Sequence, residues 1–418
     1  MYALSVNDER KDSSTLITFF VVAVSFALTA WYAVSVFIPV FRSLDVAIGY
    51  DAFRYHSFAE RNASPSLVEI LGSSDLVQFA LAGYPVLLSL VYGLTTPDPL
   101  LGCIFNWMLW VAAGFLLVPL ATPESKLSSR LPFLALWLLY PEAIDWNGTT
   151  SKEPLVVFAM ACALRACSSR SPGWVQVLIV GALGALMLSV RWVVVPLLVL
   201  ALAISFESRR QLQRSRAPRM LLLAVAVVVG LYIAGDKTAD DDVLDNPLAE
   251  AGYSRMAETF TEGLSNRSLL RRMGSPDRVI DSFYVPVRSF ANLICPLYWN
   301  PLSLPFAAAA ATSGLQWLSG ALCSAAALAI LLRLLDRQAW TKSRSVLLGV
   351  LAVGLVALGL SGIIHERYRS TIVAALLPLG LRSFREEVAA HGPRRLLIGG
   401  AVLPLFVFLL YRILRQLS

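Results

Sequence analysis

The chain has 418 residues and a formal net charge of +7; it is 57% hydrophobic and 15% charged, with mean hydropathy +0.65. A water-soluble protein is excluded, because that much apolar surface has no interior large enough to take it, and a polytopic membrane protein is what remains. Of the 35 basic residues 30 are Arg, a bias typical of a GC-rich bacterial source, and basic residues flanking membrane spans account for the positive charge without nucleic acid. The five Cys are scattered, with Cys103, Cys162, Cys167 and Cys323 inside apolar runs and Cys295 alone, which is neither a disulfide framework nor a metal knuckle.

Taken in chain order, hydropathy predicts an all-α transmembrane bundle of about eleven spans: 15–40, 99–122, 131–145, 153–168, 173–190, 192–206, 219–235, 312–333, 345–364, 370–383 and 396–412. The first run lacks a small-residue cleavage site and is too long for a signal peptide, so it is read as a true span. The run 77–95 carries Gly83 and Pro85 at its centre and is read as a helix lying in the membrane interface. With the N-terminus in the cytoplasm and 77–95 not crossing, the short cytoplasmic segments hold 19 of the 35 Lys and Arg. The basic connectors, ESRRQLQRSRAPR among them, then all face inward, as the positive-inside rule requires. Counting 77–95 as a span would turn each of them outward. Arg412 and Arg415 are the exception and fall outside. The expectation is one integral membrane domain over 1–418, with a first extracytoplasmic loop at 41–98 that carries interfacial helices. A second, long extracytoplasmic loop follows at 236–311.

In that orientation the unusual polar residues share one compartment. The first loop contains GYDAFRYHSFAER, where Asp51, Tyr55, Phe58 and Ala59 have helical spacing and His56 follows Tyr55. Asp51 reads either as a helix cap or as a carboxylate held above the membrane to act as a general base. WNGTTSKEPL at 146–155 begins as a surface turn would and ends in a helix start. Pro154 suits the first turn, and Glu153 sits at the positive end of the helix. Glu153 also reads as a membrane-edge carboxylate able to orient an acceptor or bind a cation, with Lys152 at hand for phosphate. Arg191 interrupts an apolar run and is either a turn residue or a planar donor for phosphate. HERYR packs His365, Glu366, Arg367, Tyr368 and Arg369 between two apolar spans, with the arginines as phosphate donors and Glu366 as a partner for one of them. The loop 236–311 begins acidic (DKTADDDVLD) and turns basic and aromatic, a composition suited either to gripping a glycan or to a solvated linker.

An acid in a first outer loop, Gly83-Tyr84-Pro85, the helix start Ser151-Lys152-Glu153-Pro154-Leu155, Arg191, and an ERYR motif before a span containing Pro378 follow one another in that order. The pattern, over roughly 41–383, resembles the C-type membrane glycosyltransferases, which include protein O-mannosyltransferases and the lipid A aminoarabinose transferase. The resemblance implies a sugar donor on a polyprenyl phosphate, an acceptor that is a cell-envelope glycan, lipid or protein, and transfer on the outer face of a bacterial inner membrane. It makes Asp51 the catalytic acid of the first loop and Glu153 the second acidic position. Arg191, Arg367 and Arg369 become the phosphate-binding positions, with Lys152, Glu366, Tyr55, His56, His365 and Tyr368 around them. Two departures stand out. Asp51 is followed by Ala52 rather than by a second acid, which weakens a divalent cation at Asp51 and Glu153, and no soluble domain is expected after the last span. One base and no covalent nucleophile imply inversion at the sugar. A polysaccharide polymerase or ligase would share the class and the outward arginines, whereas a secondary transporter would set its charges near the bilayer midplane.

Overall fold

The computed structural model describes residues 2–39, 50–72, 83–122, 127–169, 173–191, 194–210, 306–335, 341–360 and 369–396. The expected spans at 219–235 and 396–412, and all of the long loop up to residue 305, lie outside them, apart from the single residue Leu396. Every element in the described part is helical. In chain order they are α1 (Tyr2–Tyr32), α2 (Tyr50–Arg61), α3 (Leu67–Leu71), α4 (Gly83–Leu94), α5 (Pro99–Ala121), α6 (Leu127–Leu138) and α7 (Pro141–Asn147). There follow α8 (Glu153–Ser168), α9 (Gly173–Arg191), α10 (Val195–Arg210), α11 (Phe306–Leu335), α12 (Lys342–Leu360) and α13 (Ser370–His391).

Among the described residues, three stretches are long and apolar enough to cross a membrane, Thr15–Phe37, Pro99–Ala121 and Gly173–Arg191, and four shorter apolar helices accompany them. Large apolar side chains face outward along these helices: Phe19 and Phe20 on α1, Met108 and Phe115 on α5, Leu178 and Leu188 on α9. Such a surface is compatible with lipid and not with water. Within the run 77–95, Gly83–Leu94 form the helix α4; 77–82 lie outside the described residues.

Local chemistry sets the helix ends. Asp98 caps α5 by accepting from the Leu100 N–H at 2.8 Å, and Pro99 takes the first position. Ser66 caps α3. Gly392 follows α13 with φ +72, a conformation glycine adopts without strain. The expected single span at 131–145 is instead two helices. Tyr140 precedes Pro141 and takes ψ 119, because the proline ring disfavours helical backbone in the residue before it. α7 then starts afresh with Pro141 in its first turn.

The core is built around α8, a largely apolar helix buried on most of its surface, with Phe158, Cys162 and Arg165 on its one partly exposed stripe. It is packed by α5, α9, α10, α12 and α13. On the α6 side, Trp110 and Trp137 stack with ring centroids 4.3 Å apart, and each indole N–H donates to the other's backbone carbonyl, at 3.0 and 2.9 Å. Gly114, one turn on, leaves no room for a β-carbon against the Trp137 ring. α1 closes with a π-helical turn, Ala33–Phe37, that packs with Ala52 of α2 and Cys103 of α5.

Candidate functional site

The site grows from the connector between α7 and α8. Trp146 to Ser151 are buried, so the expected surface turn is an interior loop. Asn106, in the middle of α5, makes this possible: its side-chain amide donates to the carbonyls of Thr149 (2.8 Å) and Ser151 (2.9 Å). Its own carbonyl oxygen accepts from the Tyr84 hydroxyl at 3.0 Å. Backbone oxygens removed from water are thereby paired. Replacing Asn106 with Leu is expected to cost about 2–5 kcal/mol, because two carbonyls and a hydroxyl lose their partner in the interior. Denaturant titration of the purified protein in detergent measures this, and a loss under about 1 kcal/mol would remove Asn106 from its organising role.

The loop in turn holds the first-loop helix. The Thr150 hydroxyl donates to the carbonyl of Ala52 at 2.7 Å. Lys152 Nζ lies 5.7 Å from the centre of the Tyr55 ring, a cation–π distance. Tyr55 packs edge-on against Tyr84 at 5.5 Å. Asp51 therefore belongs to a helix fastened to the start of α8. Asp51 is itself a helical residue of α2 and so does not hold the capping position. His56 faces the other way: buried, it is hydrogen-bonded through Nδ1 to the Tyr92 hydroxyl at 2.7 Å and stands 3.7 Å from Glu60. Burial lowers the His56 pKa despite the opposing pull of Glu60 and Asp98, so the ring is neutral at physiological pH and ties α2 to α4.

Three helix ends meet behind Lys152. The Glu153 carboxylate, at the N-terminus of α8, receives an ion-paired hydrogen bond of 2.9 Å from Arg191 Nη2. Arg191 Nη1 donates to Ser370 Oγ at 3.0 Å, at the first residue of α13. Each charge complements its helix dipole, the acid at an N-terminus and the base at a C-terminus. The sequence reading of Arg191 as a phosphate donor meets a finding here: the guanidinium already shares its charge with Glu153. Only 38 residues separate the two, and the α8–α9 hairpin brings them back to the same end of the bundle.

Arg369 is fully buried, with Nε 3.4 Å from Glu142 Oε2, which is equally buried. The Tyr140 hydroxyl donates to the same oxygen at 3.0 Å and lies 3.4 Å from Cys323 Sγ, and the Glu142 N–H donates to Ser319 Oγ at 2.8 Å. Arg369 thus points into protein, against α7 and α11, where the motif had suggested a phosphate donor. His365, Glu366, Arg367 and Tyr368 lie outside the described residues. Among those described, no three His, Cys, Asp or Glu side chains gather as a metal-binding set.

Sequence reasoning missed Asn106, Glu142 and Tyr140. Asn106 and Glu142 had left a signal, each being an uncompensated polar residue inside an apolar run, which in a membrane demands a partner. Compared with known proteins, the chain matches no family model, no curated protein and no solved structure.

Proposed function

We propose that the chain is an integral membrane glycosyltransferase of the C type, moving a sugar from a polyprenyl-phosphate donor to a cell-envelope glycan, lipid or protein acceptor outside the cytoplasm. The observation that carries this reading is the convergence at one end of the bundle. The helix bearing Asp51, the Lys152–Glu153 helix start, Arg191 and the entry to α13 are joined there by contacts of 2.7 Å (Thr150 to Ala52), 5.7 Å (Lys152 to Tyr55) and 2.9 Å (Arg191 to Glu153). Charge placement supports the sidedness. Arg333, Arg344, Arg382 and Arg395 cluster at the opposite end of α11, α12 and α13. Arg382 lies 13 residues along α13 from Arg369, about 20 Å. Basic ends belong in the cytoplasm, which turns the Glu153 end outward. In this reading α2, α3 and α4 lie along the outer surface, and about eleven spans complete the bundle.

The reaction uses one base. The Asp51 carboxylate takes the proton of an acceptor hydroxyl as the oxygen attacks the anomeric carbon. The bond from that carbon to the phosphate oxygen breaks, and the polyprenyl phosphate leaves with the electron pair, so no general acid is needed. The anomeric centre inverts. Lys152 and Arg367 carry the neutralisation of the phosphate. Arg191 and Arg369, engaged with Glu153 and Glu142, hold the helix ends that frame the site.

The test of sidedness is labelling of single cysteines, on a Cys-free background, at positions 51, 152, 341 and 367 in cells with a permeable outer membrane. An impermeant thiol reagent is expected to reach 51, 152 and 367 from outside, and 341, the exposed start of α12, only once the inner membrane is opened. Labelling of 152 and 341 from the same side would overturn the reading.

A further inference from the structure

Lys152 is partly exposed, between the buried Ser151 and Glu153. Its place is set twice from one side chain of α5. Asn106 donates to the Ser151 carbonyl at 2.9 Å, at the residue immediately before the lysine, and so holds the backbone there. The same carboxamide accepts from the Tyr84 hydroxyl at 3.0 Å. The Tyr84 ring is fully buried and stands edge-on to Tyr55 at 5.5 Å, and the Lys152 ammonium lies 5.7 Å from the centre of the Tyr55 ring. Backbone and charged tip of one residue are thus tied to Asn106 by separate routes, one through Ser151 and one through two tyrosines.

The second route matters because a lysine is a point charge on a flexible stem. A stem that has to be ordered as the ligand arrives gives up affinity. An ammonium already drawn to the negative face of a ring gives up less. Tyr55 is suited to that task. It is 6% exposed, and its helix is fastened by the Thr150–Ala52 hydrogen bond to the same connector that leads into Lys152. Asp51 precedes it by four positions, so α2 carries both the proposed base and the ring beneath the lysine.

We propose that Tyr55, braced by Tyr84, is a positioning residue that holds the Lys152 ammonium in place for the phosphate of the polyprenyl-phosphate donor. It acts through the lysine and not on the reacting atoms. This role rests on the polyprenyl-phosphate reading above. Binding of undecaprenyl phosphate to the full-length protein in detergent, followed by microscale thermophoresis, tests it without an acceptor. Lys152→Gln is expected to weaken binding about tenfold, the worth of a charged hydrogen bond. Tyr55→Leu is expected to weaken it about fivefold, the worth of one cation–π contact, and Tyr55→Phe, which keeps the ring, by less than about twofold. Added to Lys152→Gln, Tyr55→Leu is expected to cause no further loss, because its effect passes through the missing ammonium. If Tyr55→Leu does not fold, Tyr55→pentafluorophenylalanine decides the matter: it keeps the ring's size, withdraws electron density from its face, and should bring the same loss of about fivefold. An equal loss from Tyr55→Leu with and without Lys152 would make Tyr55 a packing residue only and overturn the proposal. So would full affinity in Tyr55→Leu or in the fluorinated variant. Unchanged affinity in Lys152→Gln would overturn it while the donor reading stands, whereas failure of the parent protein to bind undecaprenyl phosphate would remove both.

Discussion

Asp51→Asn is expected to lower sugar transfer by about 10²–10⁴-fold while leaving the protein in the membrane at its normal level, the range a positioned general base contributes. The substitution keeps the size and removes the basicity. The backbone contact that fastens α2, from Thr150 to the Ala52 carbonyl at 2.7 Å, does not involve the Asp51 side chain. The donor's leaving group is a phosphate that needs no proton. The loss is therefore expected in kcat, with donor KM little changed, because a base that acts on the acceptor in the transition state contributes nothing to donor binding. Membranes from cells expressing each form, supplied with a radiolabelled polyprenyl-phosphate sugar, provide the assay. If Asp51→Asn keeps activity within tenfold of the parent, Asp51 is not the base. If kcat and donor KM change together, its part is in binding.

The second large effect is structural and needs no substrate. Glu153→Gln and Arg191→Gln are each expected to cost about 3–5 kcal/mol of stability, since removing one member of a buried pair strands the other charge. The side chains are 4% and 10% exposed, so solvent screens them little. The double replacement is expected to cost clearly less than the sum, with a coupling energy of about 0.5–3 kcal/mol. Arg191 also donates to Ser370, so Arg191→Gln should loosen the start of α13 in a way Glu153→Gln does not. Hydrogen exchange across 370–376 reads that difference. Strict additivity of the two replacements would mean that the ion pair does not hold the three helix ends together.

How much of this was legible in advance varies by element. Apolar runs announced α5, α8 and α9 almost to the residue, and the start of α13, whose polar last two turns carry it beyond the expected 383 to His391, because membrane and core helices obey hydropathy and end chemistry that act locally. The break between α6 and α7 was also written locally, in Tyr140-Pro141, yet the apolar content of 131–145 hid it. The burial of Trp146 to Ser151 was not legible, because a polar stretch rich in Gly and Thr looks like a solvated turn until its carbonyls find Asn106, more than 40 residues away. His56 read as a site residue by its neighbourhood with Tyr55, but on a helix adjacent positions face different ways, and it turned to Tyr92.

By itself the sequence determined the membrane class, the helical ends and the gathering of charge into a few connectors, since composition and short-range chemistry carry those. It also singled out Glu153 and Arg191 separately, as ions at the margins of apolar runs. That they are partners, that Arg369 answers Glu142 across the bundle, and that Lys152 lies over Tyr55 were decided only by the tertiary structure. The reason is physical: a buried charge must be paired, but its partner is chosen by which helix ends the packing around α8 brings within about 3 Å, and residues separated by 38, 97 and 227 positions in the chain carry no local mark of that meeting.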